Sequence, residues 1–554
     1  MGFAISTGAS NQKTKTSQLI SLWLGVSAAF PSTNKRSPHD VDTPIDYNSI
    51  QRFVHQQETK NEEVRALKKV FLSNRSITCN DGSQAGFYLR KSYTSKKWII
   101  FLEGGWYCYD HHSCRNRWLK QRHYMTSTDW PDARDIGGIL SGTMEENPFW
   151  WNANHVFIPY CTSDSWSGIK PHTRGEMFSF MGSAIVRQVV VDLVSLGLKN
   201  GTDLLLTGSS AGGTGVMLNL DPVRELIRDH LGLKQVAVKG VSDSGWFLDR
   251  TPYAPTLKPA VDAIRKGMEL WRGQVPKRCK EMYRDEPWRC YFGYRLYPTL
   301  QSELFVFQWL FDEAQMDADN VGAPVTKQQW DYIHKMGDAL RQSFENVSAV
   351  FAPSCISHSV LTKRDWQNVK IDDISIAEAL HCWEQKMHRR RTKRLRNARM
   401  FADQPKPLRR QVDSPVGINA TATDPETAQQ RRRKRRKHKK NRKGRKRKEE
   451  GAIAETAELP DRRPQRSVLH AQQKKSNGRH CTHRRLERCS WPQCNHSCPR
   501  LHNPFTGEEM DFIELLKSFG LDMESVAKAL GIDMQTLNNM DHSELLNLLT
   551  QQTN

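Results

Sequence analysis

No stretch of this 554-residue chain approaches about 20 consecutive apolar residues, so nothing in it reads as a helix crossing a bilayer. Its cysteines lack the paired C-x2-C spacing of a structural zinc site: Cys494 and Cys498 are separated by three residues, and Cys481 lies eight positions before Cys489. No metal is expected. There is no internal repeat. Residues 386–478 have no apolar periodicity and are too rich in Arg, Lys, Gln and Pro to bury a core. The rest of the chain has almost no net charge. Residues 386–479 hold 32 Lys+Arg against 9 Asp+Glu, a net of +23, while the whole chain carries +22. The basic character therefore belongs to one insert, and 15 of the 18 residues from Arg431 to Lys448 are basic.

What is present begins with 12 cysteines and five N-x-S/T sequons, at Asn74, Asn200, Asn346, Asn419 and Asn495. Together they point to an oxidising, secretory setting with glycosylation at these asparagines. Close pairs such as Cys108/Cys114, Cys279/Cys290 and Cys494/Cys498 suggest local staples, although spacing alone cannot assign partners. Lys13 and Lys15 precede a short apolar run from Leu19 to Phe30 with small residues at Ser27-Ala28-Ala29, the pattern of a signal peptide, so a secreted, soluble protein is expected. The expected layout is a signal peptide over 1–30, a polar segment over 31–68 turning helical at Glu62–Lys69, a catalytic body over 69–383, a disordered basic insert over 384–479, and a Cys-rich and helical element over 480–554 that packs on the body.

Within the body, apolar strand-like runs at Trp98–Leu102, His155–Tyr160, Leu204–Leu206, Val236–Val241, Phe305–Phe307 and Ala349–Ala352 alternate with helical patterns at Gly182–Leu196, Val216–Leu231 and Lys327–Glu345. This alternation predicts an α/β fold with a doubly wound, mostly parallel sheet. The aromatic-rich stretch from Trp246 to Phe292 reads as a cap insertion. Residues 505–550, including Phe512, Leu515, Leu516, Phe519 and Leu521, return to a helical pattern.

Gly208-Ser209-Ser210-Ala211-Gly212 fits G-x-S-x-G between a strand and a helix, the setting of a nucleophile elbow. A serine hydroxyl needs a base, and the base needs an acid to orient it. In the chain order of such hydrolases Asp312 and His358 follow Ser210, each where a loop leaves a strand. Asp243 is a rival acid because it ends the strand after the elbow, and Glu313 is a lesser one. The oxyanion hole would use the amides of Ala211 and of the Gly104-Gly105-Trp106 turn. The aromatic stretch is either packing under the cap or a dry acyl pocket.

Phe101-Leu102-Glu103-Gly104-Gly105-Trp106-Tyr107-Cys108, Thr207 through Asn219, Asp243 through Asp249, Gln308 through Gln315 and Phe505-Thr506-Gly507 resemble the secreted carboxylesterases in the pectin-acetylesterase branch of the α/β-hydrolases that delipidate Wnt proteins. The resemblance covers about residues 60–383 and 480–550. It implies removal of palmitoleate from a Wnt serine, with Ser210 as nucleophile, Asp312 as acid and His358 as base. It implies an oxyanion hole of Gly105, Trp106 and Ala211, and a lipid pocket lined by Trp106, Tyr107, Phe247, Ile264, Tyr291 and Phe292. No metal or organic cofactor is implied. A polysaccharide O-acetylesterase with the same triad and a matrix-binding protein with an idle esterase fold stay open.

For the basic insert, a nucleic-acid role conflicts with the sequons and cysteines, and no aromatic platform for bases is interleaved. The expected partner is heparan sulfate on glypican-type proteoglycans, engaged by counterion release. Processing is the third reading, since Arg391-Thr392-Lys393-Arg394 and Arg432-Arg433-Lys434-Arg435 fit a furin-like convertase motif, and a merely solvated loop stays open.

Overall fold

The computed structural model describes residues 66–255, 260–322, 324, 326–402, 482–501 and 522–540, all within the unit Glu62–Asn554. The expected leader, the Arg431–Lys448 run, Asn419 and Phe512 through Leu521 lie outside the described residues.

Ten strands form the main sheet among these residues: β1 Leu67–Phe71, β2 Gly86–Arg90, β3 Lys97–Leu102, β4 Ala133–Arg134, β5 Asn154–Ile158, β6 Asp203–Ser209, β7 Ala237–Asp243, β8 Glu303–Phe307, β10 Val350–Ala352 and β14 Arg484–Leu486. Their order is β14-β10-β8-β7-β6-β3-β5-β2-β1-β4. From β14 to β5 the pairs are parallel, and β5 to β4 is antiparallel. The buried parallel strands are continuous apolar runs, as burial on both faces demands. The chain steps from β3 to β5 on one side, then returns to β6 on the other. That reversal opens a crevice at the carboxyl ends of β3 and β6, where open α/β sheets build their sites. Two short pairs stand apart: β9 Phe311–Asp312 with β11 Ile356–Ser357, in parallel, and β12 Lys370–Ile371 with β13 Ile374–Ser375.

Seven helices matter here: α1 His111–Lys120, α2 Gly182–Ser195, α3 Ala211–Glu225, α4 Ala260–Leu270, α5 Glu313–Ala318, α6 Lys327–Ser343 and α7 Ile376–Ala402. On α2, Val186, Val189, Val190 and Leu193 are buried, the face its periodicity marks.

Several expectations change. Leu67–Lys69 is strand, not the end of a helix, because β1 is held between β2 and β4. The body does not stop at Trp383: α7 runs unbroken through residue 384 to Ala402. Its anchor is Glu384, which is buried and takes Trp150 Nε1 at 2.9 Å, Lys97 Nζ at 3.5 Å and Lys239 Nζ at 3.5 Å, while Lys239 also reaches Asp203 at 3.1 Å. This network sits at the amino ends of β3 and β6, away from the crevice. The first convertase motif is therefore helical, and the Arg391 guanidinium donates to the carbonyls of Thr202 and Gln235.

The Cys-rich C-terminal segment does more than pack on the body, since β14 adds a strand to the sheet edge beside β10. That placement overturns one expected staple. Cys108–Cys114 and Cys279–Cys290 are paired, but Cys498 pairs with Cys355 and Cys494 with Cys489; Cys79–Cys161 is a further bridge and Cys382 is also disulfide-bonded. Asn74, Asn200 and Asn346 are exposed. Asn495 differs: its side-chain amide donates to the Lys370 carbonyl at 2.7 Å and to Glu487 at 2.6 Å, the nitrogen a glycan would need.

Replacing Glu384 with Ala leaves two lysines beside a lost carboxylate. Removing one partner of a buried ion pair costs about 3–5 kcal/mol. Urea unfolding should show a loss of that order for Glu384→Ala, with kcat of the surviving folded protein near wild type, because the network lies at the opposite ends of the strands from the crevice.

Candidate active site

The crevice is built by four loops that leave parallel strands at one level. Leu102 of β3 is opposite Gly208 of β6, Ser209 is opposite Asp243 of β7, and Asp243 is opposite Phe307 of β8. Ser210 follows β6 at once with φ of +58°, and α3 begins at Ala211, five residues earlier than the apolar periodicity marks. The strain thus falls on Ser210 itself. Gly212 serves close packing: a Cβ there would lie 2.0 Å from the Leu102 carbonyl oxygen. Ser210 is buried, and its N–H donates to the Asp243 carbonyl at 2.8 Å.

Asp312 and His358 are brought together by the β9–β11 pair, whose register sets Ser357 opposite Asp312. His358 Nδ1 lies 3.0 Å from both Asp312 carboxylate oxygens. The same carboxylate accepts from Gln308 Nε2 at 2.9 Å and from the backbone N–H groups of Ala314 and Gln315 at the start of α5. Burial by itself pulls the His358 pKa down. The Asp312 charge and hydrogen bond, with Asp243 and Glu313 further off, outweigh it, so the net shift is above the ordinary histidine value.

Asp243, the rival acid, has a different set of partners. Its carboxylate takes the hydroxyls of Ser209 and Ser244 and the backbone N–H groups of Val360 and Leu361. It thus ties the elbow strand to the loop just past His358, and Ser244 Oγ accepts from the Ser359 N–H in the same junction. Glu313 has its pKa raised by burial and then by Asp312.

A cavity of about 390 Å³ opens beside Ser210 and Ala211, and Trp106, Tyr107, Phe247, Ile264, Tyr291 and Phe292 all line it. Leu248, Ala260, Gln315 and Ala318 complete the wall, four positions not assigned to the pocket from sequence, and no charged side chain lines it. Trp106 stacks on Tyr107 with centroids 5.3 Å apart and meets Phe247 edge-on at 6.4 Å. Burial pushes the Tyr107 phenol well up and that of Tyr291 to about 12, so both stay neutral. Gln315 holds the wall: its side chain accepts from the Leu248 N–H at 2.8 Å and donates to the Leu248 carbonyl at 3.3 Å. An isolated glutamine carries no motif, so only the α5 segment around it offered a signal. Gly105 (φ +139°) and Trp106 (φ +61°) form the turn facing the elbow. Among the described residues no group of His, Cys, Asp or Glu is arranged to hold a metal ion, and no helix is long and apolar enough to cross a membrane.

The pectinacetylesterase family model matches residues 57–405. The chain is 48% identical to the palmitoleoyl-protein carboxylesterase NOTUM of Drosophila melanogaster, across 92% of this chain and 90% of that protein. It is 38% identical to the human palmitoleoyl-protein carboxylesterase NOTUM, across 87% and 82%. The solved structure of the Wnt deacylase Notum from Drosophila is similar at a TM-score of 0.60 and 50% identity, covering 78% of this chain and all of that one. The chain belongs to the pectinacetylesterase family, among its palmitoleoyl-protein carboxylesterases, and is a carboxylic ester hydrolase of the α/β-hydrolase fold.

Proposed function

We propose that this enzyme removes palmitoleate from a serine of Wnt proteins, and that it does so with Ser210, His358 and Asp312. Two observations support the reading: the Asp312–His358 pair, and a strained serine that lines an uncharged, aromatic cavity. Ser210 Oγ attacks the ester carbonyl carbon while His358, through Nε2, takes its proton. Asp312 holds the Nδ1–H and stabilises the imidazolium. The amides of Gly105, Trp106 and Ala211 receive the negative charge of the tetrahedral oxygen. The imidazolium then protonates the departing serine oxygen of the substrate, and water releases the fatty acid from Ser210 by the same steps. The cavity favours a long acyl chain, because each buried CH2 contributes about 0.8 kcal/mol and an acetyl group would leave most of the wall unused.

The bridged cysteines and the exposed sequons at Asn74, Asn200 and Asn346 support action outside the cell. Retention there by heparan sulfate is part of the proposal. Its support is the basic insert together with the exposed His388, Arg389, Arg390 and Lys393 of α7 that lead into it.

Hydrolysis of p-nitrophenyl esters from two to sixteen carbons tests the reaction class. Medium and long esters should turn over, and Ser210→Ala should abolish this. Turnover confined to the acetyl ester would replace the lipid reading with a polysaccharide esterase.

The acid assignment has its own test. Asp312→Asn should lower kcat by about 10⁴, the scale of amide replacement in such triads. Asp243→Asn should cost less in kcat and show itself in unfolding, by about 1–3 kcal/mol for disturbed buried hydrogen bonds. His358 must be neutral to accept a proton, and its pKa is raised, so activity should fall on acidification through a midpoint above the ordinary value of about 6.5. In Asp312→Asn the largest upward cause is gone and burial remains, so the midpoint of the residual activity should move down. A larger kcat loss in Asp243→Asn would reverse the assignment.

Heparin affinity tests retention. Deleting 403–478, which spares α7, should move elution from heparin to much lower salt, as expected when many phosphate- or sulfate-type contacts are lost. Unchanged elution would end the heparan sulfate proposal.

A further inference from the structure

Arg117, in the last turn of α1, is a buried cation without a carboxylate partner among the described residues. Each of its three guanidinium nitrogens donates a hydrogen bond all the same. Nη2 donates to the Gly105 carbonyl at 2.5 Å, Nε to Ser163 Oγ at 2.8 Å and Nη1 to Gln121 Oε1 at 3.0 Å. Its Cζ lies 4.9 Å from the Tyr124 ring centroid and 5.9 Å from that of Tyr160. Desolvating a guanidinium with no counter-charge is costly, and a core built for stability alone would not need it.

The peptide Arg117 grips is the informative part. The Gly105 carbonyl belongs to the same peptide group as the Trp106 N–H, one of the donors assigned above to the oxyanion. A positive charge hydrogen-bonded to the oxygen of an amide draws electron density from its nitrogen and strengthens that N–H as a donor. It also fixes the plane of the peptide, which is flanked by two positive-φ residues and cannot rely on ordinary backbone preference. The rest of the setting holds Arg117 still. Asp110 caps α1 through the Ser113 N–H, Cys108–Cys114 clips its first turn, and the Cys108 N–H donates to the Ser163 carbonyl at 3.0 Å.

We propose that Arg117 is a positioning residue for the esterase reaction, which orients and polarises the Gly105–Trp106 peptide so that its N–H stabilises the tetrahedral oxygen. The proposal rests on the oxyanion reading given above. Its signature is selective: it acts on the charged tetrahedral state and leaves the filling of the acyl pocket alone.

The test uses the full-length secreted enzyme and two probes of equal chain length. A medium-chain trifluoromethyl ketone adds to Ser210 and puts an oxyanion in the hole, and a dialkyl ether only fills the pocket. For Arg117→Gln, kcat should fall about ten- to a hundredfold, below the 10²–10³ lost with an oxyanion donor itself. Inhibition by the ketone should weaken by a similar factor, while KM and ether inhibition stay within about twofold. Unchanged kcat, or parallel loss of ketone and ether binding, overturns the proposal. Should Arg117→Gln fail to be secreted, Arg117→Lys takes its place, with the same results supporting or overturning the role, because lysine keeps the charge and loses the fork. Gly105→Ala separates the two levels of the argument, since its Cβ would meet the Tyr124 ring at 2.6 Å and displace this peptide. If ketone affinity survives Gly105→Ala, the oxyanion assignment falls. If it is lost there but kept in both Arg117 variants, the assignment stands and the role of Arg117 is refuted.

Discussion

The common level at which β3, β6, β7 and β8 end is the constraint on which the site depends. Parallel pairing in register places the Gly104–Trp106 turn, Ser210, Asp243 and the segment leading to Asp312 along one edge. A slip of one residue in any pair would turn side chains to the opposite face and move a loop by a full residue rise. At the centre of that edge the buried Asp243 carboxylate joins the elbow strand, its own turn and the loop past His358. Its four donors come from three segments, Ser209, Ser244 and Val360–Leu361, so it acts as a spacer between the elbow and the loop that carries His358, while Asp312 is the carboxylate that meets the His358 ring.

Around this frame the protein divides strain and support between different segments. Positive φ occurs at Trp106, Ser210 and Ser244, just past the ends of β3, β6 and β7, and in a second group at Ser163, Ser165 and Trp166. The second group is held by Asp164, which accepts from Thr162, Trp166, Gly168 and Gly182; burial raises its pKa to about 6 even with these donors. That loop is tied to the cavity wall through the Tyr107–Asp164 bridge and the Ser165–Tyr291 hydroxyl pair. The C-terminal segment supports the other side. Cys498 is bonded to Cys355, and Gln493 accepts from the Ile356 N–H, two residues before His358. A piece of chain returning after a long basic insert thereby holds the loop that carries His358.

Sequence patterns were reliable where the physics is local. The buried strands of the body, the helices over 182–196 and 327–345, and the disulfides spanning six and eleven residues all follow from nearby composition and spacing. The elbow was legible because a strand, a serine between glycines and a helix form a continuous motif. Boundaries drawn from composition failed for the opposite reason. Trp383, Glu384 and Met387 are buried against distant strands, and this packing carries α7 into a stretch whose basic residues suggested disorder. Cys498 was assigned to its neighbour in sequence because nothing local reveals that β14 docks at the sheet edge beside Cys355.

By itself, then, the amino-acid order determined the fold class, the elbow serine and the apolar character of the pocket, since each depends on periodicity or on a contiguous motif. It left Asp312 and Asp243 as rivals, because both end strands and both are acidic. Only the tertiary structure separated them, through a two-residue strand pair that puts the His358 ring against one carboxylate and its following backbone against the other. The places of Arg117 and of Gln315 in the wall were not legible beforehand for the same reason. A lone side chain acquires a role only when folding decides which backbone carbonyl it meets.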